Sequence, residues 1–150
     1  CSSDLVFTVS SSDFMSVYAS NNLFKGIQKY SKSGGALLGG IIANSINTPY
    51  AKDIVDDFAR VTDTKIMEYI PRSITVTQSE LHGKTTIENA PNSEQAKIYN
   101  RLATKINEHV ESKTPSPLGV QELRDWAAKW ADKLIEVESG VIGTGAAGNL

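Results

Sequence analysis

The chain has 150 residues, of which 40% are apolar and 21% are charged, and its formal net charge is -2. This length and composition fit one globular domain with a sizeable core. The low net charge excludes the basic surface typical of nucleic-acid-binding proteins, and no apolar run approaches the ~20 residues of a membrane-spanning helix. The sequence therefore predicts a cytoplasmic protein that binds neither nucleic acid nor a membrane.

The amino terminus reads Cys1-Ser2-Ser3 and enters a strand-like run by residue 5, without a signal-peptide pattern. A mature lipoprotein could begin with this cysteine, but a polar tether would normally precede its fold, so a truncated chain is the favoured interpretation. One cysteine cannot by itself form a metal or cluster site. His82 and His109 lack partners at metal-ligand spacing, so we predict no metal ligands and no catalytic residues.

The first 47 residues predict a strand, a helix and a second strand. Residues 5–9 are rich in β-branched and aromatic side chains, and residues 10–13 can form a turn and a helix cap. The helical pattern that follows has an apolar face interrupted by Asn21. Residues 34–47 begin with glycines, become wholly apolar and then stop at amide side chains, so the run up to Asn44 is as expected of a parallel strand covered on both faces. This βαβ order makes the two strands parallel.

The second strand also gives the first indication of function. Asn44 stands at its carboxyl end, where open α/β sheets bind ligands, although an asparagine chosen for turn formation is the simpler explanation. Gly39 and Gly40 would allow a helix backbone to approach the strand closely.

A helix that starts near Pro49 and a third strand at residues 65–70 extend this pattern. The charged side of the helix, which includes Asp57, is interpreted as a solvated face. Arg72 follows the third strand and could either hold a surface carboxylate or line a ligand cleft beside Asn44. The predicted fold class is α/β, with about three parallel strands and flanking helices.

Two segments between the third strand and the next helix are difficult to interpret. Residues 73–81 combine strand-favouring and helix-favouring halves, so their structure stays open. Gly83-Lys84-Thr85-Thr86 resembles the end of a phosphate-binding loop, but Gln78 occupies the position that needs the earlier glycine. A phosphate-binding loop is therefore not predicted.

The last third of the chain predicts two amphipathic helices. The first has an apolar stripe from Ala96 to Val110, and the second follows a proline-containing linker at residues 112–119. Trp126 and Trp130 share one face of the second helix and are expected in the core or an interface.

Several stretches along the chain together form a recognisable family pattern. Residues 11–22 read Ser-Ser-Asp-Phe-Met-Ser-Val-Tyr-Ala-Ser-Asn-Asn, and residues 34–45 read Gly-Gly-Ala-Leu-Leu-Gly-Gly-Ile-Ile-Ala-Asn-Ser. The later matches are Tyr69-Ile70-Pro71-Arg72, Glu80, Thr85-Thr86-Ile87-Glu88, Pro91 and Gln95-Ala96-Lys97-Ile98-Tyr99. In this order and spacing, these residues resemble the nitrogenase iron protein family. The resemblance covers about residues 4 to 110 and corresponds to the family's carboxyl-terminal half.

The resemblance implies a homodimeric P-loop ATPase that carries one [4Fe-4S] cluster, uses ATP or ADP with Mg, and passes electrons to a larger nitrogenase or tetrapyrrole-reductase partner. Residues 1–111 would be the carboxyl half of the P-loop NTPase-type domain, residues 112–138 a linker and helix, and residues 139–150 a flexible tail. The family's phosphate loop, switch segments and cluster cysteines have no counterparts in these 150 residues. The chain alone is therefore expected to be inactive and to bind neither cofactor tightly.

The resemblance also implies which residues face the nucleotide base. Asn44 matches the adenine-contacting asparagine of the family, and Pro71-Arg72 matches its purine-side loop. Other base-side or ribose-side positions hold Glu80, Gln95 and Tyr99, and Ser73 stands where the family usually has an aspartate.

Two alternatives remain open at this stage. The chain could be a stand-alone α/β binding or scaffold module derived from such an ATPase, with the tryptophan helix and tail as its docking surface. A flavodoxin-like domain is disfavoured, because the sequence shows neither a phosphate-gripping loop nor an acidic pocket at the strand ends.

Overall fold

The computed structural model describes residues 5–108 and 111–140. In this part of the chain, strands and helices alternate as predicted up to the third strand, four further helices follow it, and the α/β class is confirmed. The elements in chain order are β1 (Leu5–Ser10), α1 (Phe14–Ser31), β2 (Leu37–Asn44), α2 (Pro49–Val61), β3 (Ile66–Ile70), α3 (Ile74–Leu81), α4 (Thr86–Asn89), α5 (Glu94–Glu108) and α6 (Val120–Glu138).

The three strands form one parallel sheet in the order β1-β2-β3. The central strand β2 is buried from Leu38 to Ala43, which explains its uninterrupted apolar sequence. Ser10 pairs with Ala43, and Asn44 pairs with Ile70, so the carboxyl ends of all three strands lie side by side. This edge is where an α/β sheet presents a ligand site.

Our expectation that Gly39 and Gly40 admit a helix backbone is wrong. A Cβ on Gly39 would lie 2.7 Å from the ring of Phe7, and a Cβ on Gly40 would lie 2.7 Å from Cγ of Met67. The space above both glycines is therefore filled by side chains of the neighbouring strands. Gly40 also has a φ of +149°, which side-chain-bearing residues rarely adopt.

Helix caps explain where the helices begin. Asp13 accepts a hydrogen bond from the backbone of Ser16 at 3.0 Å, and Thr48 accepts one from Ala51 at 3.2 Å. Ser73 caps α3, which shows that the ambiguous residues 73–81 are mostly helical. The cap provides an acceptor for an otherwise unpaired N–H, and this local bond outweighs the strand propensity of the β-branched residues that follow.

The core lies on one face of the sheet, between the strands and helices α1, α2 and α6. Phe24 of α1 stacks on Phe58 of α2 with ring centroids 5.7 Å apart, and Phe58 contacts Trp126 of α6 at 5.8 Å. Trp126 and Trp130 are 9% and 4% exposed. The prediction that both tryptophans belong to a core or interface is confirmed, and their place is the core.

Residues 112–119 run along this core in close contact with it. Lys113 forms an antiparallel bridge with Leu38, with N–H···O distances of 2.9 and 3.0 Å. Asn21 is fully buried, accepts a hydrogen bond from the N–H of Leu118 and donates one to its carbonyl, both at 2.8 Å. Asn21 therefore completes the packing of α1, and the interpretation that it interrupts the buried face is wrong.

The apolar stripe of α5 is less buried than the sequence suggests. Ala96 is fully buried, but Ile106 is 37% exposed. His109, Val110 and the tail from residue 141 lie outside the described residues. Among the helices that are described, none is long and apolar enough to cross a membrane.

Candidate functional site

The loops that follow β2 and β3 meet at the carboxyl edge of the sheet. Asn44 pairs with Ile70 in the sheet register, and the N–H of Ile46 donates to the carbonyl of Ile70 at 3.1 Å. Ser45 has a φ of +59°, so the chain turns sharply after the strand. The two polar strand ends identified in the sequence, Asn44 and Pro71-Arg72, are therefore adjacent.

Helix α5 supports the Pro71-Arg72 segment from the other side. Gln95 is 4% exposed, and its Nε2 donates to the carbonyl of Pro71 at 3.3 Å and to the hydroxyl of Tyr99 at 3.1 Å. Both N–H groups of the Gln95 amide are engaged in these bonds. Gln95 and Tyr99, one helical turn apart, thus join the loop after β3 to α5.

The side chains of Asn44 and Arg72 are exposed and form no hydrogen bond or ion pair within the described residues. An asparagine amide offers a donor and an acceptor in one plane, which matches the N6 donor and ring-nitrogen acceptor of adenine. The guanidinium of Arg72 adds five donors and a positive charge beside the same loop. These groups could bind a purine base or another planar molecule that carries a donor next to an acceptor.

Ser73 and Glu80, two further predicted site residues, do not join the group of polar side chains around Asn44. Ser73 uses its hydroxyl to cap α3, where it accepts from Thr75 at 3.2 Å. Glu80 is exposed in the last turn of α3, about 10 Å along the helix from Ser73. It lines a separate cleft of about 470 Å³ with Lys84 and Glu88. Within the described residues, Glu80 makes no hydrogen bond or ion pair with the group around Asn44.

A polar cluster joins α2 to β3 just before the site. The hydroxyl of Tyr69 donates to Asp56, and Nζ of Lys52 lies 2.5 Å from Asp56 Oδ2 and 4.6 Å from the centre of the Tyr69 ring. Burial, together with the hydrogen bond to Asp56, raises the pKa of Tyr69, so the phenol stays neutral at physiological pH. This cluster holds α2 against the strand that leads into Pro71.

A buried carboxylate fixes α5 against β3. Glu68 is 5% exposed and accepts hydrogen bonds from Arg101 at 2.7 and 3.2 Å and from Lys105 at 3.0 Å. The bonds from Arg101 outweigh the cost of burial, and with Lys105 and the Tyr69 N–H they lower the pKa of Glu68 to about 2. Because Gln95 and Tyr99 lie on the same helix, Glu68 helps to set their position.

The sequence analysis did not identify Glu68 as important, and it placed Asp57 on a solvated face. In the structure, the side chain of Asp57 is 13% exposed, and its Oδ2 accepts from the indole N–H groups of Trp126 at 2.8 Å and Trp130 at 2.9 Å. The solvated-face interpretation is therefore wrong for Asp57. The only sequence signal would have been an acidic residue on the helix that packs against two tryptophans.

A further cleft, of about 680 Å³, lies between α2 and α6 and includes Asp57, Trp126 and Trp130. It adjoins the end of α2 that leads into β3. Asn44 precedes the opposite end of α2, so this cleft is separate from the site at the strand ends.

The sequence that forms these strands and site residues matches known proteins. Residues 2–132 match the model of the family described as 4Fe-4S iron sulfur cluster binding proteins, NifH/frxC family. The chain belongs to this family. It is 66% identical over 145 residues to nitrogenase iron protein 2 of Paenibacillus durus, covering 97% of this chain and 50% of that protein. It is 38% identical over 129 residues to nitrogenase iron protein 2 of Methanothermococcus thermolithotrophicus, covering 86% of this chain and 44% of that protein.

The fold of this NifH/frxC family chain is similar to that of the cell division ATPase MinD of Pyrococcus furiosus. The TM-score is 0.53 at 17% identity, over 70% of this chain and 43% of that one. This likeness, which concerns the fold alone, agrees with the predicted fold class, a partial P-loop NTPase-type sheet. The chain spans about half the length of the curated relatives it matches.

Of the cofactors that the family implies, a [4Fe-4S] cluster and ATP with Mg, the described residues fit only one part. The only cysteine, Cys1, lies outside the described residues, which also contain no group of three or more metal-ligating side chains. A [4Fe-4S] cluster therefore has no ligand set in this part of the chain. The exposed amide of Asn44, beside the loop that Gln95 supports, does fit a nucleotide base.

Proposed function

We propose that this chain supplies the adenine side of the nucleotide site in an ATP-dependent electron donor of the nitrogenase iron protein type. The observation that carries this proposal is the meeting of Asn44 with the Pro71-Arg72 segment at the strand ends, where Gln95 supports the segment from α5. In the complete electron donor, a homodimer would hold the [4Fe-4S] cluster and pass electrons to a larger nitrogenase or tetrapyrrole-reductase partner. The names of the relatives favour nitrogenase.

Each residue of the site has a proposed part in binding. The Asn44 amide pairs with the donor and acceptor on the edge of adenine, and Pro71 contacts the base. Arg72 flanks the base, Gln95 and Tyr99 hold the loop in place, and Ser73 caps α3 directly after the loop. Glu80 lines the separate cleft on α3, so it would meet a bound nucleotide only on the ribose side. Charge-assisted contacts to phosphate would have to come from residues outside this chain, because the chain has no phosphate-binding loop. We therefore expect the isolated chain to be inactive.

The scaffold alternative has less support than the nucleotide site. It requires the tryptophan helix to present a docking surface, but Trp126 and Trp130 face the core and donate to Asp57. What remains exposed on α6 includes single apolar residues such as Val120 and Ile135, which are common on protein surfaces.

A chimeric iron protein would test the proposal. This chain would replace the matching half of the Paenibacillus durus protein, with which it shares 66% identity. We expect the chimera to support ATP-dependent electron transfer to nitrogenase, and Asn44→Ala in the chimera to raise the ATP concentration needed for half-maximal transfer about tenfold, the loss expected when a bidentate base contact is removed.

The matched control is Asn22→Ala, which changes an exposed asparagine in α1 whose side chain makes no hydrogen bond in the described structure. This variant should behave like the unmodified chimera. A folded, dimeric chimera that transfers no electrons would refute the electron-donor function, and an unchanged ATP requirement in Asn44→Ala would refute the assignment of the base site.

A further inference from the structure

Asn47 bridges the two loops that form the candidate site. Its Oδ1 accepts a hydrogen bond from the backbone N–H of Arg72 at 2.7 Å, across 25 residues of sequence. The neighbouring backbone bond from the N–H of Ile46 to the carbonyl of Ile70, at 3.1 Å, joins the same loop to the last residue of β3. Two successive residues of the loop after β2 are thus bonded to the end of β3 and to the loop that follows it.

The bond to the Arg72 N–H depends on a side chain, for a reason visible in the sequence. Pro71 has no N–H, so the N–H of Arg72 is the first backbone donor after Ile70. In the structure, Asn47 is the acceptor for that donor, while Gln95 donates to the carbonyl of Pro71 from the other side at 3.3 Å. The Pro71-Arg72 peptide is therefore held by one side chain on each flank.

Asn47 itself is exposed, and its bond competes with water. Such a hydrogen bond adds little to the stability of the whole fold. Its effect on the loop is different, because the affinity of a loop that samples several positions falls in proportion to the fraction of time that it spends in the binding-competent one.

We propose that Asn47 is a positioning residue for base recognition, which fixes the Pro71-Arg72 segment at the correct distance from Asn44. This inference rests on the proposed nucleotide site and adds a residue that does not itself need to touch the base. Asn47→Ala removes the acceptor, whereas Asn47→Asp keeps an oxygen that can accept from the Arg72 N–H.

The test uses the 150-residue chain at low micromolar concentration. Binding of adenosine and guanosine is followed by saturation-transfer NMR, and exchange of the Arg72 amide hydrogen is followed by mass spectrometry. Adenosine is chosen because it carries no charge, so the added charge of Asn47→Asp has little direct effect on binding. Asn22→Ala is the control, and the thermal midpoint of each variant is recorded.

We expect Asn47→Ala to weaken adenosine binding about fivefold, to reduce the preference for adenosine over guanosine, and to speed exchange at Arg72, with an unchanged thermal midpoint. Asn47→Asp should restore all three properties. If the unmodified chain prefers adenosine and Asn47→Ala keeps that preference and affinity, the positioning role is wrong while the nucleotide site stands. If the unmodified chain binds neither nucleoside, the nucleotide site is wrong and the positioning role falls with it.

Discussion

Single polar residues in the interior hold the helices of this fold to each other and to the sheet. Asp57 accepts hydrogen bonds from two tryptophans of α6 that are 69 and 73 residues away in sequence. Burial disfavours the charged form of Asp57, but the bonds from Trp130, Arg60 and Trp126 outweigh it, so its pKa is below the usual value. The carboxylate therefore stays charged and fixes α6 against α2.

Removing the Asp57 carboxylate should loosen α6. We expect Asp57→Ala to lower the free energy of unfolding by about 2–4 kcal/mol, because two indole N–H groups lose their acceptor. Asp57→Asn, which keeps an oxygen, should lose less than half as much. Urea denaturation followed by tryptophan fluorescence measures both losses. The control is Asp53→Ala, which changes a half-buried aspartate on the same helix. Equal losses in the alanine and asparagine variants would contradict this role.

The buried Glu68 should make stability depend on acid. Its pKa in the folded chain is about 2, below the ordinary value of 4.5, so its contribution is complete above about pH 5 and is lost as the pH falls towards 2. The pKa difference corresponds to at most about 3 kcal/mol. In urea titrations between pH 7 and pH 2.5, we expect Glu68→Gln to be less stable at pH 7 and to lose less stability on acidification.

The control for Glu68→Gln is Glu80→Gln, which changes an exposed carboxylate that has no ion pair in the described structure. This variant should keep the acid dependence of the unmodified chain. Parallel pH curves for Glu68→Gln and the unmodified chain would show that the ion pairs with Arg101 and Lys105 do not stabilise the fold.

The secondary-structure elements were largely predictable because their signals are local. The apolar run at residues 34–47 identified β2, and Asp13 and Pro49 marked helix starts that the structure confirms. What was missed depends on partners distant in sequence. Asn21 looked like an interruption because Leu118, 97 residues away, is its partner. Asn47 gave no signal either, since its bond to Arg72 exists only once the two loops meet.

Glycines in two different elements give a matched test of how the sheet is packed. In β2, Gly40→Ala would place a methyl group 2.7 Å from Met67 in a backbone conformation that alanine rarely adopts, so we expect a loss of about 1–3 kcal/mol in the free energy of unfolding. In α1, a Cβ on Gly26 meets nothing within 4 Å, and Gly26→Ala should stabilise the helix by about 0.5–1 kcal/mol.

Thermal or urea denaturation of both glycine variants measures these changes. A Gly40→Ala variant as stable as the unmodified chain would contradict the packing described for β2. A destabilised Gly26→Ala variant would contradict the open space described at α1.

At the scale of the whole molecule, the described sheet keeps an unpaired edge at β1. Helices α1, α2 and α6 pack on one face, and α5 contacts β3 through Glu68. The outer edge of β1 pairs with no other strand in the described part of the chain, and Val9 on this strand is 61% exposed. The edge of β1 is therefore open to pairing with a further strand.

The candidate site was predictable to a similar extent. The strand ends and the family resemblance identified Asn44 and Pro71-Arg72, and the structure places them together. The support from Gln95 follows from how α5 docks on β3, which depends on the buried Glu68. Residue patterns along the chain do not contain that docking, so the sequence could name the site residues without explaining what holds them in place.

Comparing adenosine with ATP tests the central claim most directly. If this chain carries only the base side of a nucleotide site, the triphosphate finds no phosphate-binding partners here and adds little to binding. In calorimetric and saturation-transfer titrations of the unmodified chain, we predict millimolar affinity for adenosine, affinity for Mg-ATP within about threefold of it, and weaker binding of both in Asn44→Ala. Micromolar binding of ATP, or no binding of adenosine at all, would contradict this account.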